Sequence, residues 1–352
     1  MTYLINFLLV PVYFLLINTV FGKKRTKKIF FIVVTLHAIL FRALADPYVY
    51  PDTEGYALAF QNIAEMSFSD AVLSVNPYIE WGPGYLALNW IIAQFTKDPA
   101  ALFIVLSVLS VGGVMLFYYK TTETPLITVL FYLLYPMMYV MGFFVVRQHL
   151  AIVFILWGAY YVNDLRKCIP LFLLGISFHF TSIIVLPFLL FRNISINNLS
   201  FLKVVLATVI LFLVLYFSVE YVLPYTERYN DAYAKAGNEH NIVPVLLLSS
   251  LISAFFSACI FKSTISVTDS IIVRFVIYGL VVALFGMTIP AAGRLSLYFI
   301  YALPVGLSAL YSNEKNKKHP ISIIYTLGLF LFVIVLFYFS SGDMYNRYQT
   351  IF

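Results

Sequence analysis

Arg147 and Gln148 are the residues whose position most strongly suggests chemistry, because they interrupt two long apolar stretches with no acidic residue nearby in sequence. An unpaired charge at membrane depth is costly, so a permanent cation in that position indicates a function. An arginine that caps an outer turn and snorkels to the lipid headgroups would explain the same pattern. The helices and loops that surround Arg147 distinguish between these interpretations.

The segment Gly82-Pro83-Gly84 is a second candidate, this time for anion binding. Its two glycines allow a sharp turn, and Pro83 is well suited to the first turn of the helix that follows. A helix N-terminus aimed into a cavity would present backbone N–H groups to an anion. Turns of this composition are common, so the motif carries weight only together with other residues.

The composition predicts the elements that must hold these residues. The chain is 62% hydrophobic and 11% charged, with a mean hydropathy of +0.92. It is therefore expected to be an all-α polytopic membrane protein forming a single transmembrane domain, 1–352, with roughly 10–12 transmembrane helices. The first apolar run is expected to be a retained span, since it lacks the pattern of a cleaved signal. Cys168 and Cys259 are widely separated and are expected to be free thiols.

Apolar runs of spanning length recur along the whole chain. They lie near residues 3–21, 29–45, 99–119, 125–146, 148–163, 201–219, 243–261, 270–288, 295–311 and 320–340. The basic residues between them are Lys23 to Lys28, Arg166 and Lys167, Arg192 with Lys203, Lys262, and Lys315 to Lys318. The positive-inside rule places these basic segments in the cytoplasm. The acid-rich loops 46–82 and 220–242 are then outer loops.

Two shorter or interrupted runs, 83–96 and 168–191, cannot both be simple crossings if the segments 120–124 and 192–203 are cytoplasmic. We predict a half-helix at 83–96 that dips from the outer face, and at 168–191 a helix broken near Gly175 to His179. One ordinary span over 168–191 is the alternative to this return. Irregular backbone at membrane depth must line protein or a water-filled cavity, so the two broken elements would mark a site.

The first outer loop contains a helical pattern. Tyr56, Phe60 and Ile63 recur at helical spacing, followed by Met66, and polar residues occupy the other faces. This pattern predicts a short amphipathic helix on the outer leaflet. A lid packed on the helix bundle would produce the same pattern.

Several motifs follow one another in a particular order along the chain. They are Tyr50-Pro51-Asp52, the helix start Pro83-Gly84-Tyr85, Arg147-Gln148 with Ala151, the run Phe178-His179-Phe180-Thr181-Ser182, and Arg294 with Tyr298. This ordered set resembles the EpsG branch of the Wzy-type O-antigen and exopolysaccharide polymerases over most of the chain. The family often has Glu directly before the Pro-Gly pair, where this chain has Gly82. Either Glu80 substitutes from a shifted position or that role is absent.

The resemblance implies a polymerase that transfers a growing glycan from undecaprenyl pyrophosphate to the non-reducing end of a lipid-linked oligosaccharide. Arg147 and Arg294 would hold the diphosphate leaving group through bidentate contacts. His179 would take the proton of the acceptor hydroxyl, with Asp52 as the rival base. Read without the family, His179 is instead a core histidine at a helix break, and Asp52 is a solvated turn residue.

The same resemblance implies further substrate contacts. They are assigned to Gln148, Glu80, Trp81, Tyr85 and Tyr298, with Arg228 and Arg347 as contacts to phosphate or glycan. Membrane-interface anchoring accounts for much of the aromatic content, and surface ion pairs would account for Arg228 and Arg347.

The expected partners are the lipid-linked donor and acceptor and the surrounding membrane lipids, together with a chain-length regulator and a flippase as candidates. No cofactor, metal or nucleic acid is called for, since no ligand motif occurs and the donor is already activated. The expected location is the bacterial cytoplasmic membrane, with the active site facing outward. A transporter or flippase would also use broken helices and buried charge, and a membrane-bound acyltransferase would also use a buried histidine.

Overall fold

Helices make up the regular structure of this chain, with no strand in the ranges described below. The computed structural model describes residues 2–191, apart from 47, 50, 51, 75, 136, 137 and 144, together with 274–276, 278, 279, 282, 295–311 and 331. Several predicted features lie outside these described residues. They are the spans 201–219 and 243–261, most of the spans 270–288 and 320–340, the loop 220–242, and Arg228, Arg294, Arg347 and Cys259.

The described helices follow the apolar runs of the sequence. They are α1 Thr2–Phe21, α2 Lys23–Ala43, α3 Thr53–Ile63, α4 Pro83–Ala93, α5 Pro99–Thr121, α6 Pro125–Leu134, α7 Val146–Tyr160, α8 Leu165–Phe178, α9 Phe188–Phe191, α10 Leu297–Ile300 and α11 Leu303–Tyr311. By length and composition, α5 is the helix of the described residues that could cross a membrane unaided. Its start is well defined, because the Asp98 side chain accepts a hydrogen bond from the Ala100 N–H at 2.9 Å.

The basic segment at residues 23–28 is helical and does not form the predicted loop. It makes up the first turns of α2, directly after Gly22, whose φ is 69°. Lys and Arg are good helix formers, so the basic segment joins the apolar run that follows it. The Lys27 Nζ lies 3.6 Å from the Glu123 Oε1 and 5.6 Å from the centre of the Tyr119 ring. The start of α2 and the α5–α6 connection therefore lie at the same end of the bundle.

The helix predicted in the first outer loop is confirmed as α3. Tyr56, Phe60 and Ile63 are buried, and α3 packs against α4 and α5. The polar residues Glu54 and Gln61 are exposed. The apolar face thus packs on the bundle as a lid, since burial of that face stabilises the short helix.

The continuous span predicted over 125–146 is wrong. Helix α6 ends at Leu134, and Tyr135 is extended, with ψ 114°. A proline follows at position 136, and the residue before a proline is driven away from the helical region. A 3-10 turn at Met141–Phe143 precedes α7, so Arg147 lies in the first turn of a helix, as the motif Arg147-Gln148 with Ala151 predicted.

Helix α8 is broken at His179, within the range Gly175 to His179 that the sequence predicted. A Cβ on Gly175 would lie 2.7 Å from Ile155 Cδ1 and 3.3 Å from the Ala151 carbonyl oxygen, so this glycine allows α8 to pack closely on α7. Helix α8 ends at Phe178, and His179 is extended, with φ −152° and ψ 109°. A 3-10 turn, Phe180–Val185, follows. This turn packs against α8 and α7. The return of the chain to the inner side stays a prediction.

The start of α4 packs directly against the end of α8. Helix α4 begins at Pro83, as predicted, after Gly82 with φ 91°. A Cβ on Gly82 would lie 2.5 Å from the Ser177 carbonyl oxygen, and one on Gly84 would lie 3.1 Å from Ser177 Cβ. The glycines are therefore needed for this contact as well as for the turn.

Replacing Gly82 with alanine is expected to lower the free energy of unfolding by about 1–3 kcal/mol, because the new Cβ is overpacked and the positive φ is strained. The measurement is thermal unfolding in detergent. Gly55→Ala on α3 is the matched control, since a Cβ there meets nothing within 4 Å. The control should leave stability unchanged or raise it by up to about 1 kcal/mol. Equal melting temperatures for the two variants would contradict the close contact of α4 with α8.

Candidate active site

Arg147 is held over two aromatic rings. It lies half-buried in the first turn of α7, and its Nε donates to the Tyr56 hydroxyl at 3.3 Å. Its guanidinium carbon is 5.1 Å from the centre of the Trp81 ring and 5.6 Å from that of Tyr56. Both distances are within the range of a cation–π interaction, so the rings fix the direction of the guanidinium.

The rings beneath Arg147 form one cluster, which we call the aromatic cradle: Tyr56, Trp81 and Tyr85. The ring centres lie 5.0 Å apart for Tyr56 and Trp81, 5.9 Å for Tyr56 and Tyr85, and 6.1 Å for Trp81 and Tyr85. Tyr85 is fully buried on α4, whereas Trp81 is half-buried. The cradle connects the lid helix α3 to the start of α4. The Arg147 guanidinium lies over two of its rings, Tyr56 and Trp81.

The electrostatics around Arg147 favour a negatively charged ligand. Its guanidinium makes no ion pair with a carboxylate in the described part of the chain. The N-terminus of a helix also carries partial positive charge, so a cation in the first turn of α7 is placed where the helix dipole opposes it. A bound anion would supply the negative partner that the Arg147 guanidinium lacks among the described residues, and it would offset the unfavourable interaction of that charge with the helix dipole. The backbone N–H groups of the same turn could contribute to holding the anion.

His179 is fixed by two hydroxyl groups. Its Nδ1 lies 2.7 Å from the Thr181 hydroxyl and 2.8 Å from the Tyr298 hydroxyl, and the two hydroxyls are 2.8 Å apart. His179 is half-buried and Thr181 is exposed, whereas Tyr298 is fully buried on α10. The imidazole is therefore held in one orientation at the break after α8.

Tyr298 connects His179 to the first turn of α7, which carries Arg147. Besides His179, its hydroxyl interacts with the side chain of Gln148 and with the charge of Arg147. Gln148 is buried, and α10 packs against α7. The contact of α4 with Ser177 joins the aromatic cradle to the same region. The structure thus brings together Arg147, Gln148, His179, Tyr298, Trp81 and Tyr85, which the sequence had singled out.

Asp52 and Glu80 lie apart from these contacts. Both are exposed, and neither carboxylate has a hydrogen bond or ion pair among the residues with described positions. Asp52 precedes α3 with φ 67°, a left-handed conformation that few residues other than glycine, Asn and Asp adopt. Its geometry matches the solvated turn residue that the sequence also allowed.

Asp52→Asn separates the two interpretations of this residue. Asparagine tolerates the left-handed backbone as aspartate does, but it cannot accept a proton as a base. We expect the polymerase activity that the resemblance implies to remain within about threefold of the parent in Asp52→Asn, with Asp52→Ala less stable by about 1 kcal/mol because of the strained backbone. A rate for Asp52→Asn that is lower by about 10² would assign the general base to Asp52 instead.

Tyr56 and Thr181 contact site residues but were not assigned to the site from the sequence, and Arg42 is a third cation that the sequence did not single out. Tyr56 was read as part of the apolar face of α3, yet its hydroxyl and ring both contact Arg147. Arg42 was read as part of an apolar span, although it is a buried cation. A charged residue within the apolar run 29–45 was the feature of the sequence that could have identified Arg42. The candidate site residues Arg294, Arg228 and Arg347 lie outside the described residues.

The described residues thus define a class: an all-helical protein of membrane-protein composition, with a fixed cation over an aromatic cradle beside a hydrogen-bonded histidine. The chain belongs to the EpsG family, which matches residues 28–350. EpsG is a Wzy-like polymerase family whose members are membrane proteins. No curated protein and no solved structure matches the chain.

Proposed function

We propose that this protein extends a polysaccharide by transferring a growing glycan from undecaprenyl pyrophosphate to the non-reducing-end hydroxyl of a lipid-linked repeat unit. Family membership supports a polymerase of the Wzy type. The observation that carries the finer proposal is the position of Arg147. A guanidinium without a carboxylate partner in the described residues, at a helix N-terminus and over two rings, suits a lipid-linked diphosphate.

In the proposed reaction the acceptor hydroxyl oxygen attacks the anomeric carbon of the donor as the bond from that carbon to the diphosphate oxygen breaks. The diphosphate leaves with the electron pair, and Arg147 stabilises the charge that develops on it. The proton of the acceptor hydroxyl passes to His179, whose ring is oriented by Thr181 and Tyr298. A direct displacement of this kind inverts the anomeric centre.

The aromatic cradle would serve the sugars as well as the arginine. Trp81 is half-buried and lies beside Arg147, so one face of a sugar ring could pack near the diphosphate. Gln148 and Tyr298 would orient the reacting groups through their shared hydrogen bond. Arg294 is proposed as a second cation for the diphosphate on the strength of the motif alone.

We further propose a polytopic topology with the site at the outer face of the cytoplasmic membrane. Lys27 and Glu123 mark one end of the bundle, and the lid helix α3 follows the opposite end of α2. If the basic end is cytoplasmic, Arg147 opens outward. Reporter fusions at positions 122 and 195 should both report the cytoplasm, and an outer location for residue 122 would overturn this orientation.

The test is reconstitution of the purified protein in liposomes with a short lipid-linked repeat unit. Polymerisation should give a ladder of products on a gel, with release of undecaprenyl pyrophosphate. Broken helices are also found in carriers, so the same liposomes should be assayed for movement of the lipid-linked unit across the bilayer. Transport without a ladder would replace the polymerase proposal with a transporter.

A further inference from the structure

Arg42 is a buried cation near the end of α2, and only 5% of its surface is exposed. A charge buried in an apolar bundle is destabilising unless hydrogen bonds compensate it. A side chain of this kind is therefore expected to do something that an apolar residue could not.

The contacts of Arg42 connect three separate segments. Its Nη1 donates to the Ser110 hydroxyl on α5 at 2.9 Å, and its Nη2 donates to the Gly142 carbonyl oxygen in the turn before α7. Its guanidinium carbon is 5.8 Å from the centre of the Phe143 ring. Arg42 therefore ties α2 and α5 to the irregular segment that leads into Arg147.

Gly142 fits tightly between Arg42 and a buried histidine. A Cβ on Gly142 would lie 2.7 Å from Arg42 Nη1 and 3.2 Å from His149 Cδ2. The His149 Nε2 is in turn 2.9 Å from the Met138 carbonyl oxygen, and the Tyr301 hydroxyl donates to that same oxygen at 2.7 Å. Side chains thus hold the Met138 and Gly142 carbonyl groups of this segment, which lies outside the regular helices.

A cleft of about 10 Å³, space for about one water molecule, adjoins Arg42, and it is poorly suited to an anionic ligand. The Asp46 carboxylate lines it, and like charge would oppose an anion there. Its wall includes Val146, the residue before Arg147, and Thr53, which begins the lid helix α3. These contacts favour an effect of Arg42 on the geometry of the first turn of α7 over a contact with the substrate.

We propose that Arg42 is a positioning residue: by holding the Gly142 carbonyl group, it sets the first turn of α7 so that the Arg147 guanidinium stays over Trp81. The effect on catalysis rests on the proposed polymerase function. The effect on the position of Arg147 does not, since it can be observed without substrate.

Trp81 offers a direct reporter, because a charge over the indole ring alters its fluorescence. The chain has 3 tryptophans, so Trp90→Phe with Trp157→Phe leaves Trp81 alone. In this background Arg147→Gln defines the emission shift caused by loss of the cation. Arg42→Lys keeps the charge but loses the planar fork of donors, and it should give at least half of that shift. Arg25→Lys, at the exposed start of α2, is the matched control and should give none.

Gly142→Ala perturbs the same contact from the other side, so it should give a shift of similar size. If both variants act through one hydrogen bond, the double variant should show no larger shift than the greater single one. In the ladder assay each single variant should lower kcat by about tenfold or more, as expected for loss of a charged hydrogen bond.

Parent-like Trp81 emission in Arg42→Lys and in Gly142→Ala would overturn the positioning role. So would strictly additive shifts in the double variant. If Arg42→Lys fails to fold, Gly142→Ala in the same background decides the question alone. Should the parent form no ladder, the polymerase proposal falls, while the emission shifts still decide whether Arg42 positions Arg147.

Discussion

Arg147→Ala is expected to abolish visible chain growth, with a loss of about 10²–10³ in kcat, the magnitude seen when one group that stabilises developing charge is removed. The reason is that the guanidinium is held in place by Tyr56 and Trp81 before substrate arrives, so no other group can replace it without reorganisation. The measurement is the rate of ladder formation in liposomes at matched protein levels.

Arg147→Lys tests whether geometry or charge alone is required. Lysine keeps the positive charge but cannot make two parallel hydrogen bonds to a phosphate. We expect a loss of about tenfold or more. Arg166→Ala, at an exposed arginine near the start of α8, is the control and should retain the parent rate. Full laddering from Arg147→Ala would exclude the diphosphate contact, and the snorkelling interpretation would then stand.

His179→Ala is expected to lower kcat by about 10²–10⁴, as for removal of a general base, with little change in KM. The imidazole is oriented by Thr181 and Tyr298, so the remaining hydroxyls cannot take over proton transfer. Tyr298→Phe removes one of the two contacts that orient the ring and should cause a smaller loss than His179→Ala. Both effects should appear in single-turnover rates.

The core-histidine interpretation of His179 makes a different prediction. In that case His179→Ala would lower the melting temperature and the yield of folded protein, while the folded fraction would keep its kcat. His37→Ala on α2 is the control for loss of a hydrogen-bonded histidine away from the site, since His37 contacts Tyr13 at 2.9 Å. A folded His179→Ala variant with parent kcat would remove the general-base assignment.

Local sequence patterns predicted the elements that depend on neighbours in the chain. The spacing of Tyr56, Phe60 and Ile63 predicted α3, and Pro83 predicted the start of α4. Both features depend on interactions within a few residues, which composition and spacing report directly. The break after α8 was also expected, and it lies at His179, the end of the predicted range, because Gly175 is used for helix packing.

A helix boundary was predicted at Arg147, between the runs 125–146 and 148–163, but the end of α6 at Leu134 was not, because apolar composition continues through residues 125–146. Irregular backbone there is tolerated because side chains hold two of its carbonyl groups: Arg42 contacts that of Gly142, and His149 and Tyr301 contact that of Met138. Arg42 and Tyr301 are distant from this segment in sequence. Hydropathy reports whether a segment prefers lipid to water. It does not report whether distant side chains are present to hold a non-helical backbone.

The sequence by itself determined the helical membrane class, the family resemblance and most of the candidate residues, since these follow from composition and from motifs read along the chain. Only the tertiary structure decided which candidates meet. Arg147 contacts Tyr56 from 91 residues away, and His179 contacts Tyr298 from 119 residues away. Such pairs depend on how all the intervening helices pack, and helix packing is set by side-chain shape across several interfaces at once. The spacing of residues along the chain therefore does not predict which distant side chains meet.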